Sequence, residues 1–341
     1  MTLQKSFVFS MLVGSLLLAT SLLPRKVLAQ DPQFTQFYSN PLYLNPAFAG
    51  TANCPRIVMN YRNQWPGISS GPTFVTYSAS YDQHVQKLGG GLGLLVMNDK
   101  AGEATWTMGN YSGIYSYQLN LTRKMSLKAG FQATYVQRSI DQSKIIFGDQ
   151  IDPRYGFIYP SGEIIANPSV SHFDFSSGVL LYSQKVYIGF AGHHLTQPNE
   201  KFISSGSQLP MKLTFHAGSI LYTEQPSKGG EGSYFSPNLL IQKQLSFTQI
   251  NLGMYYAHGP LVGGLWLRYS PPAGGAKVNS ADAIVLLGIE TGMFRFGYSY
   301  DFPMGGTGFK NSKGSHEMSF AVQLPCKPKK KKFRQIKCPS F

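Results

Sequence analysis

The chain has 341 residues, of which only 13% are charged, and it carries 36 Gly, 23 Phe, 20 Tyr and a net charge of +14. A soluble domain is about 25% charged, so an ordinary water-facing surface is excluded, and the aromatic and glycine content favours extended β-structure. Length alone would suit about two domains of roughly 150 residues, but β-barrels run longer as one unit, and one domain is expected.

Residues 1–29 read as an export signal. Lys5 supplies the positive start, an apolar run follows, and Val27-Leu28-Ala29 places small residues before Gln30. An uncleaved membrane anchor is the competing reading, because Arg25 and Lys26 follow the apolar run. Cleavage between Ala29 and Gln30 removes Lys5, Arg25 and Lys26 and lowers the net charge from +14 to +11. No later stretch is long and apolar enough for a transmembrane helix.

Residues 30–54 form an N-terminal lead-in, expected on the periplasmic side. The Pro and Asn of "DPQFTQFYSNPLYLNPAFAG" forbid a regular helix or strand. Either the segment enters or plugs the barrel mouth, or presents Phe34, Phe37, Tyr38 and Tyr43 to a partner, or it is packed and only orders the first strand.

From residue 55 to 324 one theme repeats, about ten residues of alternating apolar and polar or small side chains followed by a turn rich in Gly, Pro, Asn or Asp. This is the pattern of a membrane-spanning β-barrel. In "MFRFGYSYD", Phe294, Phe296, Tyr298 and Tyr300 share one face, suited to lipid, while Arg295, Gly297, Ser299 and Asp301 share the other. About fourteen such segments begin near residues 56, 73, 89, 104, 124, 173, 185, 211, 233, 246, 260, 282, 292 and 315. An even number allows closure, which removes the unpaired edges that lipid cannot satisfy. The expected fold is therefore an all-β, transmembrane, antiparallel β-barrel of about fourteen strands with both termini periplasmic. The longest connections, 141–172, 194–210, 271–281 and 302–314, then all follow odd-numbered strands and face outward, with 224–232 as the exception. A secreted β-sandwich also alternates, but low charge and aromatic density disfavour it.

Within these segments, "FGDQID" supplies Asp149 and Asp152, better suited to bracing a loop than to holding a cation. His193 and His194 are adjacent, so in a strand they point to opposite faces, and with His172 and His216 they make no metal spacing. No nucleophile with its base, no phosphate loop and no cofactor motif is present, so neither catalysis nor a cofactor is expected.

The chain ends in a basic tail, residues 325–341. Lys327, Lys329, Lys330, Lys331, Lys332, Arg334 and Lys337 leave the rest of the mature chain near +4, so basicity belongs to the tail rather than to a binding face. An exported chain is not expected to bind nucleic acid, and the run reads as an interaction tail toward anionic lipid or an acidic partner face. In an oxidising compartment Cys326 and Cys338 are a candidate disulfide. The alternative leaves both unpaired, and Cys54 makes the count odd.

The stretches "DPQFTQFYSNPLYLNPAFAG", "RNQWPG", "YSASYD", "GGGLGL", "FGDQID", "HHLTQP", "GLWLRY", "GYSYD", "SHEMSF" and the closing "CPSF" occur in order along the mature chain. With them the sequence resembles the PorP/SprF family of outer-membrane proteins associated with the type IX secretion system of Bacteroidetes. The resemblance implies a component of the cell outer membrane that supports export of proteins to the cell surface. In gliding species it is linked to large surface adhesins, and its implied partners are the secretion machinery and cargo carrying a type IX C-terminal sorting domain. The competing function is a general porin or small-solute channel. That reading requires a charged, water-filled constriction, whereas several inward rows are Gly, Ser, Thr and Asn.

Overall fold

The computed structural model describes residues 31–52, 54–68, 74–102, 105–163, 165, 168–199, 208–223, 232–272, 280–305 and 309–326. The expected signal peptide, the Ala29–Gln30 cleavage site, Lys329, Lys330, Lys331, Lys332, Arg334 and Cys338 lie outside the described residues.

Fourteen strands close into one antiparallel barrel. They are β1 (Arg56–Gln64), β2 (Phe74–Val85), β3 (Gly90–Ala101), β4 (Trp106–Asn120), β5 (Ser126–Ile140), β6 (Ser169–Tyr182), β7 (Val186–His193), β8 (Lys212–Ser219), β9 (Tyr234–Gln244), β10 (Phe247–His258), β11 (Leu261–Ser270), β12 (Ser280–Thr291), β13 (Phe294–Pro303) and β14 (Ser315–Gln323). Each pairs with its neighbours in sequence, and β1 closes on β14 in a register running from Arg56↔Gln323 to Gln64↔Ser315. Every sequence segment finds its strand. The largest displacement is at β6, which starts four residues early because the polar Ser169–His172 already pairs with β5. The connections after even-numbered strands are short turns such as Gly259-Pro260, except that between β8 and β9. The two-residue turn Leu245-Ser246 departs from the parity rule in the opposite sense.

The alternation sorts side chains as a membrane wall requires. Phe294 and Phe296 are exposed on the outer face, Tyr298 and Tyr300 half-exposed, while Gly297, Ser299 and Asp301 are buried inside. On β2, Tyr77 and Ala79 face out while Thr76, Ser78, Ser80 and Asp82 face in. Large apolar side chains such as Leu94, Leu252, Leu265 and Leu287 stand exposed on this wall, where in a bilayer acyl chains would cover them.

The lumen is occupied by the chain itself. Residues 33–52 lie inside the barrel as short turns, among them Phe37–Ser39, Pro41–Leu44 and Pro46–Phe48. Leu42, Phe48 and Tyr38 are at most 1% exposed, and they form one core with Leu95, Ile114, Leu180, Tyr187, Leu240, Tyr255, Trp266 and Leu286 from the walls. Pro41 and Pro46 keep this segment from pairing as a further strand. It reaches the core as a compact plug instead.

Candidate functional site

The plug is held at both ends and in the middle, and each anchor is built from inward-facing positions that the strand period places there. Near the end of the barrel that carries the odd-numbered connections, Arg62 of β1, Arg268 of β11, Asp301 of β13 and Glu317 of β14 converge. All four are buried. Arg62 bridges Asp301 at 2.8 Å and Glu317 at 3.0 Å, and Arg268 bridges Asp301 at 2.9 Å and Asp282 at 3.4 Å. Each of these charges taken alone would be costly to bury, and mutual pairing with hydrogen bonds to the remaining lone pairs offsets that cost.

The cluster grips the start of the plug. Thr35 N and Gln36 N donate to the two oxygens of Glu317 at 2.6 and 2.9 Å. The Thr35 hydroxyl donates to Asp301 at 2.7 Å and accepts from Arg268 at 2.7 Å, with Arg62 Nη1 beside it. Gln36 completes the contact through Ser299 at 3.1 Å and Ser319 at 2.6 Å.

In the middle, Asn45 acts as a hub. Its Oδ1 accepts from Ala47 N at 2.9 Å, and its Nδ2 reaches Val179 O at 3.1 Å and His216 Nε2 at 3.1 Å. Asn40 donates to Ser78 at 2.8 Å. His216 also stacks on Phe48, with ring centroids 5.3 Å apart.

At the opposite end Gly50 N donates to Asp82 Oδ2 at 2.8 Å, and Asp82 is itself bridged by Arg56 at 2.8 Å. Ala49 O accepts from Ser116 at 2.7 Å and from Lys128 at 2.5 Å. Two wall glycines make room for this passage. A Cβ on Gly91 would overlap the Ala49 carbonyl, and one on Gly130 would overlap the main chain of Pro46 and Ala47. The "GGGLGL" stretch is therefore the wall's side of a backbone-to-backbone contact.

This geometry decides several sequence expectations. Phe34, Phe37 and Tyr38 are buried in the lumen and are not available to an outside partner. Phe37 packs edge-on to Trp266 at 4.9 Å, and Tyr38 edge-on to Tyr187 at 5.6 Å. Tyr43, half-buried, meets Phe34 edge-on at 5.4 Å, and Lys212 lies 4.8 Å over its ring. The plugging and packing alternatives thus both describe the segment, and the partner-presenting one does not.

The expected Cys326–Cys338 bridge is also corrected. Cys326 is bonded to Cys54, with their Cα atoms 5.4 Å apart. Cys54 just precedes β1 and Cys326 just follows β14, so barrel closure brings together residues separated by 272 positions. The bond joins the two ends of the barrel at its seam and leaves Cys338 outside it.

The histidines are dispersed. His194 is hydrogen-bonded to Asp174 at 2.7 Å, with Thr196 on the other carboxylate oxygen at 2.9 Å, while His193 approaches Leu44 O at 3.4 Å. Asp149 and Asp152 brace the connection between β5 and β6. Asp149 accepts from Gly162 N at 2.7 Å and Ser161 at 2.8 Å, and Asp152 from Arg154 N at 2.7 Å and Tyr155 N at 2.9 Å. These donors hold both carboxyls below their usual range.

A closed antiparallel barrel with an apolar, aromatic outer wall, a polar inner wall and an internal plug defines a membrane β-barrel of the outer-membrane kind. Residues 27–322 match the family described as type IX secretion system membrane protein PorP/SprF, and the chain belongs to that family. Its place is the outer membrane. No curated protein sequence matches the chain. Among solved structures it is similar to the CymD monoaromatic hydrocarbon channel, with a TM-score of 0.51 and 11% identity over 84% of this chain and 93% of that one. It also aligns with the KdgM porin, with a TM-score of 0.36 and 7% identity over 79% of this chain and 99% of that one. At 11% identity the likeness to CymD concerns the barrel fold.

Proposed function

We propose that this protein supports export or surface presentation of cargo by the type IX secretion system through protein–protein contacts, as a plugged and non-enzymatic barrel. The observation that carries the reading is the plug. A lumen packed with the chain's own Tyr38, Leu42 and Phe48 and tied to its walls at three levels is poorly suited to solute diffusion. Work done by such a barrel falls to its surfaces. Family membership supports the machinery as one partner, and cargo with a C-terminal sorting domain, gliding adhesins among them, is the proposed client.

The orientation that fits has the short even-numbered turns and the Cys54–Cys326 seam on the periplasmic side, where the basic tail with Lys329, Lys330, Lys331, Lys332 and Arg334 meets the machinery or anionic lipid.

The test is deletion of the gene followed by assay of surface cargo and of small-solute uptake, with complementation by the full chain and by a chain ending at Cys326. Loss of surface cargo with unaltered uptake, restored by the full chain, is expected. Unchanged cargo with altered uptake would overturn the reading in favour of a channel.

A further inference from the structure

The outer wall carries a groove of about 400 Å³ that crosses the barrel's closure seam on strands β13, β14, β1, β2 and β3. Its shape follows from register. One transverse row of outward side chains reads Phe296, Phe320, Met59, Ala79, Val96, each paired across to the next. Ala79 is the small residue in that row, between Met59 and Val96, and the same strand places Tyr77 above it and Tyr81 below. The result is a trough floored by Ala79 and walled by large side chains.

The edge of the trough toward the odd-numbered connections is polar. There Tyr61 pairs with Tyr77, ring centroids 5.2 Å apart, and Tyr77 pairs with Asn98. Neither the two phenol hydroxyls nor the Asn98 amide is hydrogen-bonded to another described residue. Polar groups at the margin of a hydrocarbon layer need a partner from the interface, because acyl chains supply none.

We infer that this trough seats one bilayer lipid from the leaflet on the side of the odd-numbered connections. An acyl chain lies over Ala79 between Met59 and Val96, and the ester or head-group oxygens accept from Tyr61, Tyr77 and Asn98. The occupant follows from continuity with the lipid-facing wall: the groove belongs to the outer face that acyl chains cover, and Tyr61, Tyr77 and Asn98 lie on its side toward the odd-numbered connections, the side a lipid's polar part would take. Burial from water does not distinguish this site from the rest of the wall, since the surrounding solvent is itself apolar. Close packing against the floor and the hydrogen bonds at the lip do. A lipid seated there spans β1, β2 and β3, beside the seam where β1 closes on β14.

The experiment incorporates the full mature protein into nanodiscs of phosphatidylethanolamine and phosphatidylglycerol. Transfer to detergent and native mass spectrometry then counts the lipids retained per barrel. The wild type is expected to keep one phospholipid. Ala79→Trp, which fills the trough, is expected to lower that retained fraction at least tenfold, and Tyr61→Phe with Tyr77→Phe several-fold. Leu265→Trp, on the outward face of β11, is expected to leave it unchanged. Each variant is checked for a folded, heat-modifiable barrel with its Cys54–Cys326 bond. Absence of a retained lipid in the wild type, or equal retention by folded Ala79→Trp and Leu265→Trp, overturns the proposal. The readout does not involve secretion and stands or falls apart from the functional reading above.

Discussion

Replacing Glu317 by Ala tests whether the plug is held as described. The carboxylate accepts from Thr35 N at 2.6 Å, from Gln36 N at 2.9 Å and from Arg62 at 3.0 Å. Without it two buried main-chain N–H groups lose their acceptor, at about 1–3 kcal/mol each. Arg62 keeps Asp301, but one partner of a buried ion pair is gone, a change that costs about 3–5 kcal/mol by itself. The contributions share one side chain and are not additive, so about 4–6 kcal/mol is a working range. The β14 ladders to β1 and β13 are main-chain bonds that the substitution does not touch. The cost therefore falls on residues 33–36, and 4 kcal/mol corresponds to an increase on the order of a thousandfold in the released state. Amide hydrogen exchange read by mass spectrometry should show Thr35 and Gln36 exchanging faster by about that factor, with β14 peptides protected as before. Glu317→Gln, which keeps an acceptor oxygen, should fall between. Wild-type protection of residues 33–36 in Glu317→Ala would refute the anchoring argument, and so would simultaneous loss of protection across the barrel.

Gly130→Val should lower the temperature at which the barrel loses its compact form on semi-native gels, by overpacking worth about 1–3 kcal/mol. Gly113→Val, where a Cβ meets nothing within 4 Å, should not. Non-reducing peptide mapping should recover a Cys54–Cys326 pair, and Cys54→Ser should lower the denaturation midpoint while leaving the β-spectrum intact. The chain-entropy limit for so long a loop is about 5 kcal/mol, and the β1–β14 ladder, which already holds the ends together, makes the observed loss smaller. A recovered Cys326–Cys338 peptide would contradict the seam. Asp149 is held below the usual carboxylate range by Gly162 N and then Ser161, and Asp152 by Arg154 N and then Tyr155 N. A depressed folded value means their contribution is present above the ordinary carboxylate range and is lost as pH falls through the folded values. Limited proteolysis within residues 148–163 should therefore accelerate as pH is lowered below about 4, and Asp149→Asn should be cleaved faster at neutral pH.

The barrel was legible in the sequence because a membrane wall enforces a period of two on every strand, and Gly, Pro, Asn and Asp punctuate the turns. The loop-parity rule fails at two places, the long connection between β8 and β9 and the two-residue turn Leu245-Ser246. The anchor of the plug was not legible. Arg62 lies in "RNQWPG", Arg268 in "GLWLRY", Asp301 in "GYSYD" and Glu317 in "SHEMSF", and nothing along the chain says that these meet. They converge only when β1 closes on β14, which brings Arg62 within 3.0 Å of a residue 255 positions away. One signal was available: in a chain with so few charges, each of these occupies the inward row of its alternating segment, where an open lumen would offer water and a packed one demands a partner. The disulfide is illegible in the sequence for the mirror-image reason. Cys326 and Cys338 are near in sequence, whereas closure makes Cys54 and Cys326 near in space.

The inward rows of Ser, Thr, Asn and Gly counted against a selective pore because they carry little charge, and the plug supplies a fuller account of them. Small polar side chains leave width for a second main chain inside the barrel and offer hydroxyls and amides to its turns, as Ser78 does for Asn40, Ser116 for Ala49 and Ser299 for Gln36. The buried charges sit at the two ends of that passage, Arg62, Arg268, Asp301 and Glu317 at one and Arg56, Asp82 and Lys128 at the other. In a conducting pore such charges would face permeating ions. Here they face each other and the plug's main chain. Polarity inside this barrel therefore serves to hold a segment in place, and on the proposed reading the loops, turns and outer wall are left to meet partners.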